Sequence, residues 1–281
     1  MYNANKIKEY FKRKAKDYDL VDKQLYWRLS DDLLWHLLRT LALDNLKGKN
    51  ISVMDAGGGT GRWLIRIVSY LKNSKGTLYD FSEEMLSVAR TKVKKHGLEG
   101  KITPVNGNIE NMADQKDSSY DLVICFHNVF GFVNNPMKAF SEMTRILKKG
   151  GYLVMVVPNK YHMLFFDIFT KNIKELKSVS ENSIGRFTKD MPSIHVFTPN
   201  EMASFYSTAN FKDVKILGFP VTIYPQSEET QISGSSKKIK AILKNKKAFK
   251  IIENLEEKIE LGEETAARGN NLFTIGRKQP S

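Results

Sequence analysis

The chain has 281 residues and 41% hydrophobic content, enough for a sizeable core in one large α/β domain with additions. No apolar run approaches the length of a membrane span, residues 1–6 lack the apolar stretch of a secretory signal, and the single cysteine, Cys125, excludes an internal disulfide or a cysteine zinc site. The five histidines lack ligand spacing, so no metal is expected; a net charge of +13 fits a lysine-rich solvated surface or a polyanionic partner such as RNA, in a cytoplasmic protein with no membrane partner.

Residues 6–46 read as helices. Tyr10, Phe11, Tyr18, Leu25, Tyr26 and Trp27 form an aromatic-rich opening, after which Ser30-Asp31-Asp32 is expected to cap an apolar helix from Leu33 to Leu43. The stretch that organises the rest is residues 51–63. Its short apolar run, Ile51, Val53 and Met54, reads as a buried strand ending at Asp55. Gly57, Gly59 and Gly61 follow at alternate positions, and Trp63 to Val68 restarts with helical spacing. Glycines there permit positive φ and close approach of a ligand to the backbone, whose N–H groups then point at a negative group. The spacing is neither that of a dinucleotide fingerprint nor that of a P-loop.

A second strand, Gly76 to Tyr79, ends at Asp80, with Ser82 as the cap of the next helix. An acid at that place, about twenty residues beyond the glycines, suits a ribose diol, because a carboxylate accepts from both hydroxyls. The third strand, Ile102 to Val105, leads to Asn108 and Ile109, and the fourth, Tyr120 to Cys125, leads to Phe126, His127 and Asn128. Ligands of open α/β sheets lie outside the carboxyl ends of the strands, which puts these residues at the site. A helix from Ala139 to Leu147 precedes a fifth strand, Tyr152 to Val157.

Residues 160–194 read as an insertion. Aromatics crowd 161–169 and suggest a lid or acceptor pocket, with Phe165 and Asp167 as candidate acceptor contacts; packing of an amphipathic helix against the core is the other reading. Thr198, Pro199 and Glu201 make a strong helix start, and His195 just before it is either a general base or a structural histidine. A sixth strand, Val214 to Leu217, precedes a second insertion, about 219–267, whose helix from Lys237 to Lys250 is lysine-rich and reads as a solvated or phosphate-binding face. Leu272 to Gly276 is the last strand.

Several of these stretches resemble the class I S-adenosylmethionine (SAM) dependent methyltransferases. Asp55-x-Gly57-x-Gly59-x-Gly61 is similar to their first motif, and Asp80-Phe81-Ser82-x-x-Met85-Leu86 to their second. The run from Tyr120 to Asn159, with Asp-Leu-Val, Asn-Pro, Arg-Ile-Leu-Lys and Gly-Gly in that order, resembles the methyltransferase type 11 domain. The resemblance implies a doubly wound α/β sheet of seven strands with the last antiparallel. It implies a helical lid over 1–48 and a SAM-binding domain over 49–281. SAM would be held by Asp55 and the glycines, by Asp80 at the ribose, by Phe81 and Met85 beside it, and by Asn108 and Ile109 at the adenine edge. The family usually has Asp where this chain has Asn108, which keeps an acceptor oxygen and gives up a charge-assisted bond.

By the same resemblance, Tyr18 belongs to an N-terminal Tyr-Asp element that closes over SAM. Arg28, seven residues before Trp35, matches an arginine that grips the cofactor carboxylate in wobble-uridine tRNA methyltransferases. Phe126, His127 and Asn128 would face the methionine end and the acceptor, with His127 or His195 taking a proton from a hydroxyl acceptor. The expected reaction is methyl transfer to an O or N atom of a small molecule, a specialised metabolite or modified peptide, enclosed by Trp27, Phe165 and Asp167. The alternatives are a tRNA wobble-uridine carboxymethyl methyltransferase and a non-catalytic SAM-binding protein.

Overall fold

The computed structural model describes residues 4–231, 234–259 and 261–279. Its centre is a seven-stranded sheet of β1 (Ile51–Ala56), β2 (Ser74–Asp80), β3 (Ile102–Asn106), β4 (Tyr120–Cys125), β5 (Leu147–Pro158), β8 (Phe211–Phe219) and β9 (Asn271–Lys278). Two short strands, β6 (Ile184–Gly185) and β7 (Ile194–His195), pair apart from it. The sheet order is β3-β2-β1-β4-β5-β9-β8, parallel except that β9 runs antiparallel to both its neighbours. The order reverses between β1 and β4, and that switch point places a crevice at the strands' carboxyl ends.

Both faces of the sheet are covered, so its strands are apolar on both sides, as parallel sheets require. Val53, Leu122, Ile124, Val154 and Val156 point into one core with α4 (Arg62–Tyr70) and α5 (Glu83–Lys95). Met54, Val123, Cys125, Leu153 and Met155 point into the other with α6 (Pro136–Ile146) and α9 (Pro199–Thr208). The expected start of α9 is present as a full capping box of Thr198 and Glu201 with Pro199 in the first turn.

The N-terminal region departs from the sequence expectation. After α1 (Ala4–Lys14) and a 3-10 segment, Tyr18–Lys23, the long helix α2 spans Leu25–Leu38. It passes through a π turn, Arg39–Leu43, into the single turn α3 (Asp44–Leu46). Ser30 and Asp31 are therefore buried inside a helix rather than capping one. Leu25 and Leu29 continue the apolar spacing of Leu33 and Leu37 back by two turns, and packing outweighs the capping preference of the intervening polar residues. Leu29, Leu33, Leu34, Leu37 and Leu38 are wholly buried in the first core. Of the described residues before β1, α1 and the 3-10 segment lie over the crevice, while α2 packs as a layer of the domain and adds Trp27 and Asp31 to the crevice wall.

The first insertion folds as two helices, α7 (Lys160–Phe169) and α8 (Ile173–Asn182), followed by the β6–β7 hairpin. The second carries α10 (Lys237–Lys244) and α11 (Lys246–Ile259), which pack on α2, α10 through Ile239 and Leu243 and α11 through Phe249 and Ile252.

Candidate active site

The glycine turn needs its glycines for two separate reasons. Gly57 and Gly61 have φ of +80° and +78°, the left-handed region that β-carbons disfavour. Gly58 is needed for space: a β-carbon there would lie 2.7 Å from Asp55 Oδ2 and 3.0 Å from Leu78. Gly57 and Gly58 donate to the Tyr79 carbonyl, which ties the turn to β2. The turn stays open towards Asp80, whose Oδ2 accepts from Gly59 N at 2.9 Å and whose Oδ1 accepts from Ser82 N at 2.8 Å.

Two buried carboxylates therefore flank the turn. Burial raises Asp80 to about 6 despite its backbone donors. Asp55 is pushed further, to about 8, by burial and then by the nearby Asp80 charge, and its Oδ2 has no hydrogen-bond partner. An unpartnered buried carboxylate in a cleft marks a place for a cation or a donor.

A cavity beside the turn is lined by Tyr18, Gly57, Gly59, Asp80, Phe81, Met85, Asn108 and Ile109, together with His127 and Val129. A small annex reaches Asp55, Phe126 and Trp63. The structure thus gathers most of the residues that the sequence assigned to the cofactor. Asn108 Oδ1 already accepts from Glu110 N at 2.9 Å, leaving one lone pair free. Glu110 in turn accepts from Asn134 and Asn135 N–H groups and closes that end of the cavity.

A second cavity adjoins the first and shares Phe11, Tyr18, His127 and Phe132 with it. Its walls add Tyr10, Trp27, Phe187 and Met191, with Lys14, Asp31, Arg62, Asn128 and Glu229 as polar groups. Phe11 is the partition: its ring meets Phe81 at 6.3 Å and Phe132 at 5.2 Å, both edge-on. Trp27 reaches the cavity with its indole N–H held by the Glu229 carbonyl at 2.7 Å.

Over both cavities lies the strap formed by Tyr18–Lys23. Asp19 accepts from Thr60 Oγ1 at 2.6 Å and from Lys92 Nζ at 2.5 Å. Arg62 binds Asp22 of the strap and Asp31 of α2 together. These anchors place Tyr18 above the turn, where burial raises its phenol to about 12 and keeps it a hydrogen-bond donor.

Four sequence assignments fail on geometry. Arg28 lines neither cavity; its exposed guanidinium lies 6.0 Å from the Phe249 ring, in a groove that also reaches Asp31, Arg62 and Trp63. One turn of helix decides this, because Tyr26 and Leu29 take the inward positions. Phe165 is 52% exposed and stacks on Phe169, away from both cavities. Asp167 is fully buried behind α7, with neither oxygen paired, and burial together with Glu175 raises it to about 7. His195 packs its ring 6.5 Å from Phe197 and lines neither cavity; β7 holds it on the far side of Gly131.

His127 is in place, but not as a free base. Its Nε2 accepts from the Trp63 indole N–H at 2.5 Å, which occupies that lone pair and puts the proton on Nδ1. Burial also lowers its pKa below the ordinary histidine value. His127 and Asn128 both hold positive φ, 54° and 68°, uncommon for non-glycine residues; His127 stands at the rim shared by the two cavities and Asn128 in the second.

Arg62, Asp31, Phe11 and Phe132 were not found from the sequence. Arg62 directly follows Gly61, and the acids Asp19, Asp22 and Asp31 upstream are the signal that a buried cation should face them. Phe11 and Phe132 carry no such signal, since they meet only in the fold.

A doubly wound sheet with an antiparallel last strand, a glycine turn after β1 and an acid at the end of β2 defines the class I SAM-dependent methyltransferases. The chain belongs to that family: the model for a methyltransferase domain matches residues 47–247. SAM is the family's cofactor, and the unpartnered Asp55 oxygen, the crowded glycines and Asp80 fit it. The chain is 31% identical over 187 residues to an uncharacterized protein of Methanocaldococcus jannaschii, across 65% of this chain and 64% of that one. It is 29% identical over 186 residues to the ubiquinone/menaquinone biosynthesis C-methyltransferase of Rhizobium etli, across 65% and 67%. The similarity therefore spans about two thirds of these relatives' length. A SAM-dependent methyltransferase from Thermotoga maritima shares the fold at TM-score 0.57 and 22% identity, across 96% of this chain and 99% of that one.

Proposed function

We propose that the protein transfers a methyl group from SAM to an O or N atom of a small, partly aromatic molecule bound in the second cavity. The observation that carries this reading is the shared rim: Phe11, Tyr18, His127 and Phe132 line both cavities, so an acceptor there abuts the cofactor. SAM brings a methyl already activated on a sulfonium, so in-line positioning does most of the work.

The chain's own residues divide the task. Asp80 accepts from the ribose hydroxyls with the lone pairs that Gly59 and Ser82 leave free. Asp55 takes the cationic amino-acid end in the annex. Phe81, Met85, Asn108 and Ile109 surround the adenine. Tyr10, Phe11, Trp27 and Phe187 offer ring faces to a flat acceptor, while the strap excludes water.

His127, capped by the Trp63 N–H, orients rather than deprotonates, which favours an acceptor that already has a free lone pair. A carbon nucleophile is the other acceptor atom to test, since a relative from Rhizobium etli is named a C-methyltransferase. The tRNA reading finds less support, because Arg28 lines neither cavity.

Two measurements test this reading. S-adenosylhomocysteine should give a calorimetric binding signal with the wild type, and silence would remove the cofactor assignment. Incubation with methyl-labelled SAM and a cell extract, fractionated into RNA and small molecules, should label the small fraction. Label in RNA would replace the acceptor, and binding without label in any fraction would favour a SAM-binding regulator.

A further inference from the structure

The densest exposed apolar surface of the described residues lies on the first insertion. Tyr161, Phe165, Ile168 and Phe169 occupy one face of α7, at spacings of four, three and one, and are 46%, 52%, 63% and 62% exposed. Ile173 at the start of α8 is 69% exposed. A sheet-packing helix buries such a face, and this one does so on its other side, through His162, Met163, Phe166 and Asp167. The outward row is a second apolar face, largely uncovered among the described residues.

Charge says what it faces. Lys171, Lys174 and Lys177 stand exposed in and after the turn between the two helices. The acids nearest them are withdrawn: Asp167 is buried, and Glu175 is buried and paired with Arg186 at 2.9 Å. Glu181, in the last turn of α8, is the one exposed acid on the two helices. Aromatic and branched side chains at a helical tip with lysines around them, on a chain of net charge +13, match an anionic bilayer surface: rings enter the headgroup layer and ammonium groups pair with phosphates.

We propose that the α7–α8 tip docks on anionic lipid membranes, with Phe165, Ile168, Phe169 and Ile173 entering the interface and Lys171, Lys174 and Lys177 binding headgroups. The sequence expectation of no membrane partner rested on the absence of a spanning segment, and a surface anchor needs none. The tip also touches the acceptor site at one remove. Phe166 meets Phe187 at 5.4 Å and Phe165 meets Tyr224 at 5.9 Å, and Phe187 and Pro225 line the second cavity. Docking there would bring the cavity wall to the membrane, a route for an apolar acceptor.

The test is sedimentation with phosphatidylcholine vesicles with and without phosphatidylserine, and it reads lipid binding independently of methyl transfer. The wild type should pellet with the anionic vesicles. The double variant Phe165→Ser, Phe169→Ser should lose that binding, and the triple variant Lys171→Gln, Lys174→Gln, Lys177→Gln should weaken it about a hundredfold, at about fivefold per lysine. All these positions are exposed, so unchanged melting curves should accompany the loss.

The α11 row Ile251 and Leu255, 58% and 45% exposed among lysines, is the internal rival. If Ile251→Ser, Leu255→Ser abolishes binding and the α7 variant does not, the assignment is wrong. It is equally overturned if the wild type ignores anionic vesicles. A dimer in solution that Phe165→Ser, Phe169→Ser dissolves would make the patch an interface between copies instead.

Discussion

The two cavities share four residues and are built in opposite ways. The cofactor cavity is assembled from the carboxyl ends of neighbouring strands: the turn after β1, Asp80 and Phe81 after β2, Asn108 and Ile109 after β3, His127 and Val129 after β4. Each of these is a short stretch fixed by the sheet behind it, and Ile7, Phe11 and Tyr18 of α1 and the strap close the cavity over them. The acceptor cavity takes residues from α1, the strap, α2, the β6–β7 loop, the loop after β8 and the turn before β9, beside Arg62 and the loop after β4. Its walls hold their places through long-range contacts, such as Trp27 to the Glu229 carbonyl and Gln24 Nε2 to the Gln231 carbonyl at 2.6 Å. A site on a rigid frame suits a ligand that never changes; a site on loops can be re-cut for a new acceptor without touching the frame.

Asp80→Ala strikes the rigid half hardest. It removes the ribose acceptor and strips Gly59 N and Ser82 N of their partner, so S-adenosylhomocysteine affinity should fall by about 1.5–3 kcal/mol. Calorimetry reads this directly. An unchanged affinity would mean that the ribose lies elsewhere and that the two cavities have been assigned in the wrong order.

Asp55 sharpens the same contrast through pH. An unfolded aspartate titrates near 3.8, and in the fold Asp55 sits at about 8. Between those values the native state holds the extra proton, so this group's contribution to stability falls as pH rises and levels off above about 8. A cationic ligand beside the carboxylate reverses its preference. Cofactor binding at neutral pH should therefore release a proton, with affinity rising by at most about tenfold per pH unit towards that value. Heats measured in buffers of different ionisation enthalpy count the proton, and Asp55→Asn should abolish the release. Proton-neutral binding by the wild type would take the cationic end of SAM away from Asp55.

The strap joins the two halves, and loosening it should have a smaller effect. Asp19→Ala removes the Thr60 and Lys92 anchors, but Asp19 is about one-third exposed and its ion pair is worth about 0.2–1 kcal/mol. Release of S-adenosylhomocysteine in stopped flow should quicken by a few fold, with the melting temperature nearly unchanged. A much larger effect would make Tyr18 a principal cofactor contact rather than a cover.

The same contrast explains what could be read from the sequence. The seven strands, their order of appearance and most of the residues that line the first cavity were legible because each motif is local: Asp55 with its glycines, or Asp80 with Ser82 as cap, announces itself within a few residues. Phe165 and Asp167 misled because a periodic aromatic run does not say which side of α7 faces the site; Met163 and Phe166 took the inside. Phe11, Phe132 and Phe187, far apart in the chain, become neighbours only through α1 and the first insertion, and no spacing rule joins them. His195 misled for a related reason, since the capping box that places Thr198 says nothing about where the preceding strand points.

Arg28 and Arg62 carry this lesson to a measurement. Both precede a tryptophan, Trp35 at seven residues and Trp63 at one, and either could serve an anion by charge alone. Arg62 lies at the start of α4 beneath the strap, holding Asp22 and Asp31, and it lines the second cavity. Arg28 lies near Phe249, outside both cavities, in an exposed groove with Asp32 and Arg66 that also reaches Asp31, Arg62 and Trp63. Arg28→Ala should leave S-adenosylhomocysteine affinity within about twofold, because it removes only an exposed charge at a distance. A loss of about tenfold or more, a change of 1.4 kcal/mol, would bring the cofactor carboxylate to the groove that Arg28 shares with Arg62 and Trp63. The tRNA reading would then regain the residue on which it rested.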